Sequence, residues 1–488
     1  MTYPPNAPAA SAARGTAGAP ARPGAQVPAQ PGPPPAPRPG RGSAVGAPAG
    51  SPKTPGVWSQ GRATLRRAAT TEPGRLRILG AVLALLVLAF GAVTAFEVAY
   101  RSSYADDVVD RSQPLSADAA DIYRSLADAD ATAASGFLAG PQETAEIRKR
   151  YTDDVTTASR LLVKAAAHTG PDGTSARELA TLNEFLPRYT GLIERARAAN
   201  RQGLPLGGAY LRYANQTMST RLLPAAERLY AAETGRLHED DDAARTWPFL
   251  SIALGVLALA VLVWAQRRDY RRTNRVFNHG LLAASTATVA ALVWLATGHG
   301  LARAGLDDAR THGQESLQVL NQARINSLKA RANENLAVVA RGAVLAEDGK
   351  TDKYEADYTS SMTALTSDLK AAVRLADDKA GGDPLTEASK RTTEWRERHQ
   401  QARTLDDEGD FTGAMNLITG TALSTGQSFD QVDAALGRAL AHEQDEFTRA
   451  ADGGRNALTG LPLGVAVLGV LAAAGVVVGG NRRLSEYR

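Results

Sequence analysis

Cysteine is absent from the 488-residue chain, so disulfides and thiolate chemistry are excluded. A phosphate-cradling Gly-x-x-x-x-Gly-Lys-Ser/Thr loop is missing too, as is the kinase signature set. The seven histidines, His168, His238, His279, His299, His312, His399 and His442, are scattered. None forms a short-spaced metal pair beside a second ligand cluster. No nucleophile stands beside a base in a recognisable set. The sequence therefore predicts no enzyme, no cofactor and no metal site. Acids are nearly lacking from the first 75 residues, which carry nine Lys/Arg against Glu72 alone, whereas segments 101–245 and 302–458 are mildly acidic. With a net charge of only +4, this asymmetry reports membrane orientation and not nucleic-acid binding.

Long apolar runs are what the chain has instead. They cover residues 78–98, 248–265, 281–297 and 461–479. A bilayer core needs roughly 20 apolar residues in a helix, so each run predicts a transmembrane span. The lipid bilayer is thus the first expected partner. Orientation follows from Arg placement. Arg62, Arg66, Arg67, Arg75 and Arg77 precede the first span. Arg267, Arg268, Arg271, Arg272 and Arg275 fill the link between spans two and three, and Arg482, Arg483 and Arg488 follow the fourth. All three clusters belong on the cytoplasmic side of the plasma membrane, with both termini. The two long connections then lie outside. Spans this poor in charge and polar groups offer no transport path.

Residues 1–56 hold fifteen of the 25 prolines, mixed with Ala and Gly. Such a segment cannot bury enough apolar surface to offset chain entropy, so a disordered tail is expected over 1–75. Beyond it runs a repeat of about 206 residues. Tyr189 aligns with Trp395, Arg197 with Arg403, Gly203 with Gly409 and Gly207 with Gly413. Breaks are predicted at Gly140-Pro141, at residues 170–173 and at 203–205, and in the second half at Gly349, 381–384 and Gly409-Asp410. Tyr151, Val155, Ala158, Leu162 and Ala165 recur at spacings of four and three, as do Tyr354, Tyr358, Met362, Leu365, Leu369 and Ala372. That is the stripe of an antiparallel helical bundle. The fold class is therefore an all-α membrane protein, internally duplicated. It has four transmembrane helices plus two tandem extracytoplasmic four-helix bundles. The boundaries read as spans at 76–99, 247–266, 279–298 and 459–480, bundles at 100–246 and 299–458, an Arg-rich loop at 267–278 and a tail at 481–488. The two halves are expected to pack as a pseudo-dimer within one chain.

Smaller features complete the reading. Glu97 and Arg303 occupy corresponding places at the outer boundary and form a candidate pair between halves. The acidic runs at 239–242 and 406–410 read as solvated helix ends, with Asp410 capping the helix at Phe411. Gly475 and Gly479 form a small-xxx-small pair that would permit close helix contact.

Each half resembles the four-helix-bundle sensor module of bacterial chemoreceptors and histidine kinases, in its span–four helices–span plan and its break before the last helix. No output domain follows either half. Two tandem modules with four spans resemble one actinobacterial family, the GlnX-like membrane signalling proteins. The family is found alongside an amino-acid-binding lipoprotein and the soluble serine/threonine kinase G. The resemblance implies that a solute-loaded binding protein docks outside. It also implies that the cytoplasmic loop and termini contact a kinase; within that loop Arg267, Arg268, Arg271, Arg272 and Arg275 are the candidate contacts. The function expected is a non-enzymatic transmembrane signal transducer for a nutrient such as an amino acid. An envelope scaffold or a transporter accessory subunit is the alternative.

Overall fold

The structure, a computed structural model, describes residues 72–140, 143–170, 172–273, 278–420 and 422–485. The expected disorder of the Pro-rich tail falls outside them. Helix α1 (Glu72–Asp107) carries span one and passes through a π-helical turn (Val108–Ser112) into α2 (Gln113–Ala139). Helices α3 (Ala145–His168), α4 (Thr174–Arg201) and α5 (Leu206–Thr217) follow, and a second π turn leads into α6 (Leu223–Arg245). Helix α7 (Phe249–Thr273) is span two and α8 (His279–Asp308) span three. A π turn (Ala309–Gln314) then leads into α9 (Glu315–Ala340). Helices α10 (Lys353–Leu375), α11 (Lys379–Asp407), α12 (Phe411–Thr419) and α13 (Thr425–Leu458) close the second half, and α14 (Leu461–Ser485) is span four. Among the described residues there is no strand, and four helical stretches are long and apolar enough to cross a membrane.

The two halves follow one plan. Each entering helix runs from its span into its bundle without a break, as in the 66-residue stretch Gly74–Ala139, about 100 Å long. Each exit helix is interrupted before its span. Continuity of both ends with the membrane, as read from sequence, therefore holds only for the entering helices. Pro248 lacks the N–H that would continue α6 into α7, and Gly460, at φ +77°, separates α13 from α14. Gly203 and Gly409 occupy the same left-handed position before the short helices α5 and α12, with φ of +67° and +87°.

Two predicted breaks are displaced. Helix α9 ends at Ala340, not near Gly349, because Arg341 and Gly342 both adopt left-handed φ. A small hairpin bridging Leu345 and Asp352 fills the interval. Residues 381–384 do not form a turn. Asp378 caps α11 by accepting the Gly381 N–H at 2.8 Å, and the glycines and Pro384 are absorbed into the opening turns.

The bundles share one core. Leu126, Ile122 and Tyr189 of the first half and Leu328, Leu365 and Trp395 of the second belong to a single buried cluster. Its centre is the parallel packing of α2 on α9, where alanines allow close approach. The two halves therefore pack against each other along this seam. In the spans, α14 lies against both α1 and α8, and α7 closes the ring. Glycine contacts bring α14 close: Gly91 faces Gly469, and Gly280 faces Gly475 and Gly479. A Cβ on Gly280 would stand 2.3 Å from the Gly475 carbonyl oxygen, whereas one on Gly300 of the same helix meets nothing. Gly280→Ala should therefore destabilise the protein by about 1–3 kcal/mol of overpacking, read in detergent as a lowered thermal unfolding midpoint. Gly300→Ala should leave it unchanged.

Candidate functional site: the cleft between the halves

Several clefts lie along the α2–α9 seam, and two of them face opposite sides of it. The first, about 650 Å³, is walled by α2 and α3 of the first half and by α9, α12 and α13 of the second. Thr132, Ser135, Glu146, Gln427 and Asp430 give it a polar lining. Two guanidinium groups flank the Phe429 ring. The Arg150 group lies 5.6 Å from the ring centroid and the Arg331 group 6.0 Å. Arg150 donates to Asp128 at 3.1 Å and reaches across the seam to Asp430, also at 3.1 Å. Asn335, fully buried, ties the seam at the same level by donating to Ser135 Oγ at 2.7 Å.

Arg331 connects the cleft to the interior of the second bundle. It donates to the Ile418 carbonyl at 3.2 Å and to Thr425 at 3.1 Å. Gly426 makes room for it, since a Cβ there would stand 2.9 Å from Nη2. Behind it, Arg331 pairs with Glu334 at 2.6 Å. Glu334 is completely buried and also accepts from Trp395 Nε1 at 3.1 Å. His399 bridges Glu334 and Glu355, with 3.0 Å on each ring nitrogen, and stacks on Tyr358 at 3.8 Å. Arg331 and His399 thus face Glu334 and Glu355, and Arg403 at the half-buried edge adds a contact to Glu355 at 3.6 Å. Burial alone would lower the His399 pKa, but its hydrogen bonds to Glu334 and Glu355 outweigh that and raise it to about 9. Burial would likewise raise the Glu334 pKa, and His399 and Arg331 reverse it, holding the carboxylate ionised.

The second cleft, about 310 Å³, lies on the opposite side of the seam, between α2, α5 and α6 of the first half and α9 and α10 of the second. It holds Asp130, Glu227 and Asp357 with Lys329 and Lys353, and no arginine. Burial pushes the Asp130 carboxyl up to about 6, although Asn215 donates to it. The two clefts occupy matching places in the two halves and differ in chemistry.

At the boundary with the spans, the expected Glu97–Arg303 pair is not made. Arg101, one helical turn from Glu97, pairs with it at 3.0 Å, and Ser251 donates to Glu97 through its N–H (3.0 Å) and its hydroxyl. Arg303 pairs with Asp307 on its own helix at 3.6 Å and donates to the Arg245 carbonyl. The halves are joined here by Arg245 with Asp307 and by Arg310 with Asp242 at 2.7 Å. Arg101 also donates to the Thr246 and Trp247 carbonyls, so it clamps the break in the exit helix. The acidic run at 239–242 is thus engaged by arginines and Ser112, and Asp410 caps α12 by accepting from Gly413 at 2.9 Å. Arg267 and Arg271 are exposed at the end of α7, and Arg268 lies 5.3 Å over the Trp264 ring. The Arg272 side chain and Arg275 lie outside the described residues.

Sequence reading did not single out Arg150, Arg331, Glu334 or Phe429. A signal was present: Arg331 and Glu334 fall on the inward stripe of α9 among Leu320, Leu328 and Leu336, where a charge demands a partner.

A family model for an actinobacterial sensor domain matches residues 104–242, the first bundle with its flanks. No curated protein and no solved structure matches the chain. Architecture and match together give a helical protein with four helices able to span a membrane and a segment similar to a sensor domain. Over those residues the chain is similar to the actinobacterial sensor domain, which supports a sensing role.

Because the His399 pKa is raised above its unfolded value near 6.5, its stabilisation is full below about pH 6.5 and is lost as pH rises through about 9. The thermal midpoint should fall between those limits. His399→Gln should flatten that fall, as measured by calorimetry from pH 6 to 9.5.

Proposed function

We propose that the protein is a non-enzymatic transmembrane sensor that responds to a small amino-acid-like solute outside the cell and signals to a cytoplasmic partner such as a serine/threonine kinase. The observation that carries this reading is the Arg150–Phe429–Arg331 cleft. It is of ligand size and built from both halves. A ligand carboxylate would take Arg150 from the exposed Asp430, leaving Asp430 and Glu146 for an ammonium group. Such a ligand would be delivered free or by an extracytoplasmic solute-binding lipoprotein. The Arg-rich segments support a multi-pass plasma-membrane protein with the bundles outside and both termini in the cytoplasm. Arg267, Arg268, Arg271, Arg272 and Arg275 are then the surface offered to the kinase.

A thermal-shift screen of the free amino acids on the full chain in nanodiscs tests this. At least one should raise the midpoint, and Arg150→Lys should weaken that ligand by about tenfold or more, the loss of one bidentate contact. No stabilisation by any amino acid, free or presented by a binding protein, would remove the reading. Transmission can be tested apart from binding. Ligand-dependent hydrogen exchange at residues 267–273 should appear in the native protein and vanish in Arg101→Ala, with the affinity retained.

A further inference from the structure

A second site stands apart from the cleft, at the membrane-proximal end of the second bundle. Asp378, at the start of α11, meets His442 and Glu446 of α13, and their ligand atoms all lie within 4.8 Å of one another. His442 Nε2 is 3.2 Å from Asp378 Oδ1 and 3.4 Å from Glu446 Oε1. That nitrogen is buried and makes no hydrogen bond of acceptable geometry. Both separations exceed the roughly 2.7–2.9 Å of a charge-assisted hydrogen bond. They match the edge of a tetrahedron around a metal with bonds of about 2.0–2.1 Å, which is about 3.3 Å.

Glu443 supplies the second observation. Its side chain is only 3% exposed, and no Lys or Arg among the described residues pairs with it. It is aimed at the same place. A Cβ built on Gly381 would lie 3.1 Å from Glu443 Oε1, 3.5 Å from Asp378 Oδ1 and 3.5 Å from the His442 ring. The first half shows how this arrangement is otherwise neutralised. There Glu233, equally buried on its exit helix, accepts from Ser175 at 2.6 Å and pairs with Arg236 at 3.1 Å. Gly381 stands where the first half has Ser175, and three residues after Glu443 comes Glu446 where the first half has Arg236. The Arg236 cation and Ser175 hydroxyl of the first half thus give way to an additional carboxylate and a glycine, and the hydroxyl beside Glu443 is that of Ser316.

We infer that Asp378, His442 and Glu446 form a binding site for a borderline divalent cation of the zinc class, with Glu443 as a buried supporting charge. One imidazole nitrogen with carboxylate oxygens suits zinc, cobalt or nickel better than the all-oxygen preference of calcium or magnesium. The Gly381 N–H bonded to Asp378 Oδ1 fixes that ligand in place. Bound metal would staple the start of α11 to the exit helix. It would act beside Phe447, which packs on Gly313 in the π turn above span three. The site is independent of the solute cleft.

The test uses the full chain in nanodiscs, stripped with chelator and titrated with ZnCl2. One zinc per chain and a raised thermal midpoint are expected. With Co2+, the intense visible d–d bands of tetrahedral coordination should appear. His442→Ala should lower zinc affinity by at least about tenfold. Asp378→Asn, which keeps the capping oxygen but loses the charge, should do the same with an unchanged metal-free midpoint. The inference is overturned if zinc binds with the same affinity and Co2+ spectrum in Asp378→Asn, or if the native chain binds less than one zinc per chain at millimolar metal.

Discussion

The packing of α2 on α9 carries the rest of the molecule. Neither four-helix bundle closes its own core. Ile122 and Leu126 on one side and Leu328 and Leu336 on the other contribute to one continuous buried cluster. Small side chains make this possible: Ala119, Ala127, Ala323 and Ala330 let the helices approach closely enough for Asn335 to reach across to Ser135. Both clefts exist because this seam exists, one on each side of it. Breaking the seam would expose the Asn335 amide and the faces of both bundles together, at a cost no surface ion pair could offset.

From that shared seam the halves diverge. On one side of it arginines meet an aromatic ring, and a balanced charge network extends inward through Arg331, Glu334, His399 and Glu355. On the other, Lys329 and Lys353 line a cleft with the buried Asp130 and with Glu227 and Asp357. The spans diverge as well. Helix α14 is drawn against both α1 and α8 through glycines, while α7 has fewer such contacts and places Gly255 against Leu292 and Phe90. A homodimer would have to repeat each feature twice. Joining the halves in one chain lets each side specialise.

Much of this was legible in the sequence. The spans follow from apolar runs, and the stripe from Tyr354 to Ala372 points inward as its spacing requires. The Gly203 and Gly409 breaks were readable because only a left-handed turn explains a glycine there. Residues 381–384 misled because glycine and proline usually punctuate, yet Asp378 had already begun the helix. The Glu97–Arg303 pairing failed because Arg101, four residues along the same helix, outcompetes a partner from another element. The cleft was invisible for a different reason. Its residues come from five helices across both halves, and no local spacing joins Arg150 to Phe429.

The placement of breaks constrains how a signal can travel. The entering helices are unbroken from span to seam, so each half's first helix is held by the shared core and resists independent movement. The exit helices pack into the same core but are interrupted before their spans. Helix α13 touches the cleft at Gly426 and Phe429, runs past Glu443 and ends at the Gly460 break. A displacement imposed at the cleft would pass down α13 as a rigid element and be converted at Gly460 into a change in the angle of α14. Because α14 is wedged between α1 and α8 by glycine contacts with little tolerance, a small angular change there must alter the packing of both. In the first half, by contrast, Arg101 binds the carbonyls of the Thr246–Trp247 break. Helix α7 packs on α1 and α8, the two helices that α14 touches, so a shift of α14 reaches the Arg-bearing end of α7 through them while Arg101 holds α7 to α1.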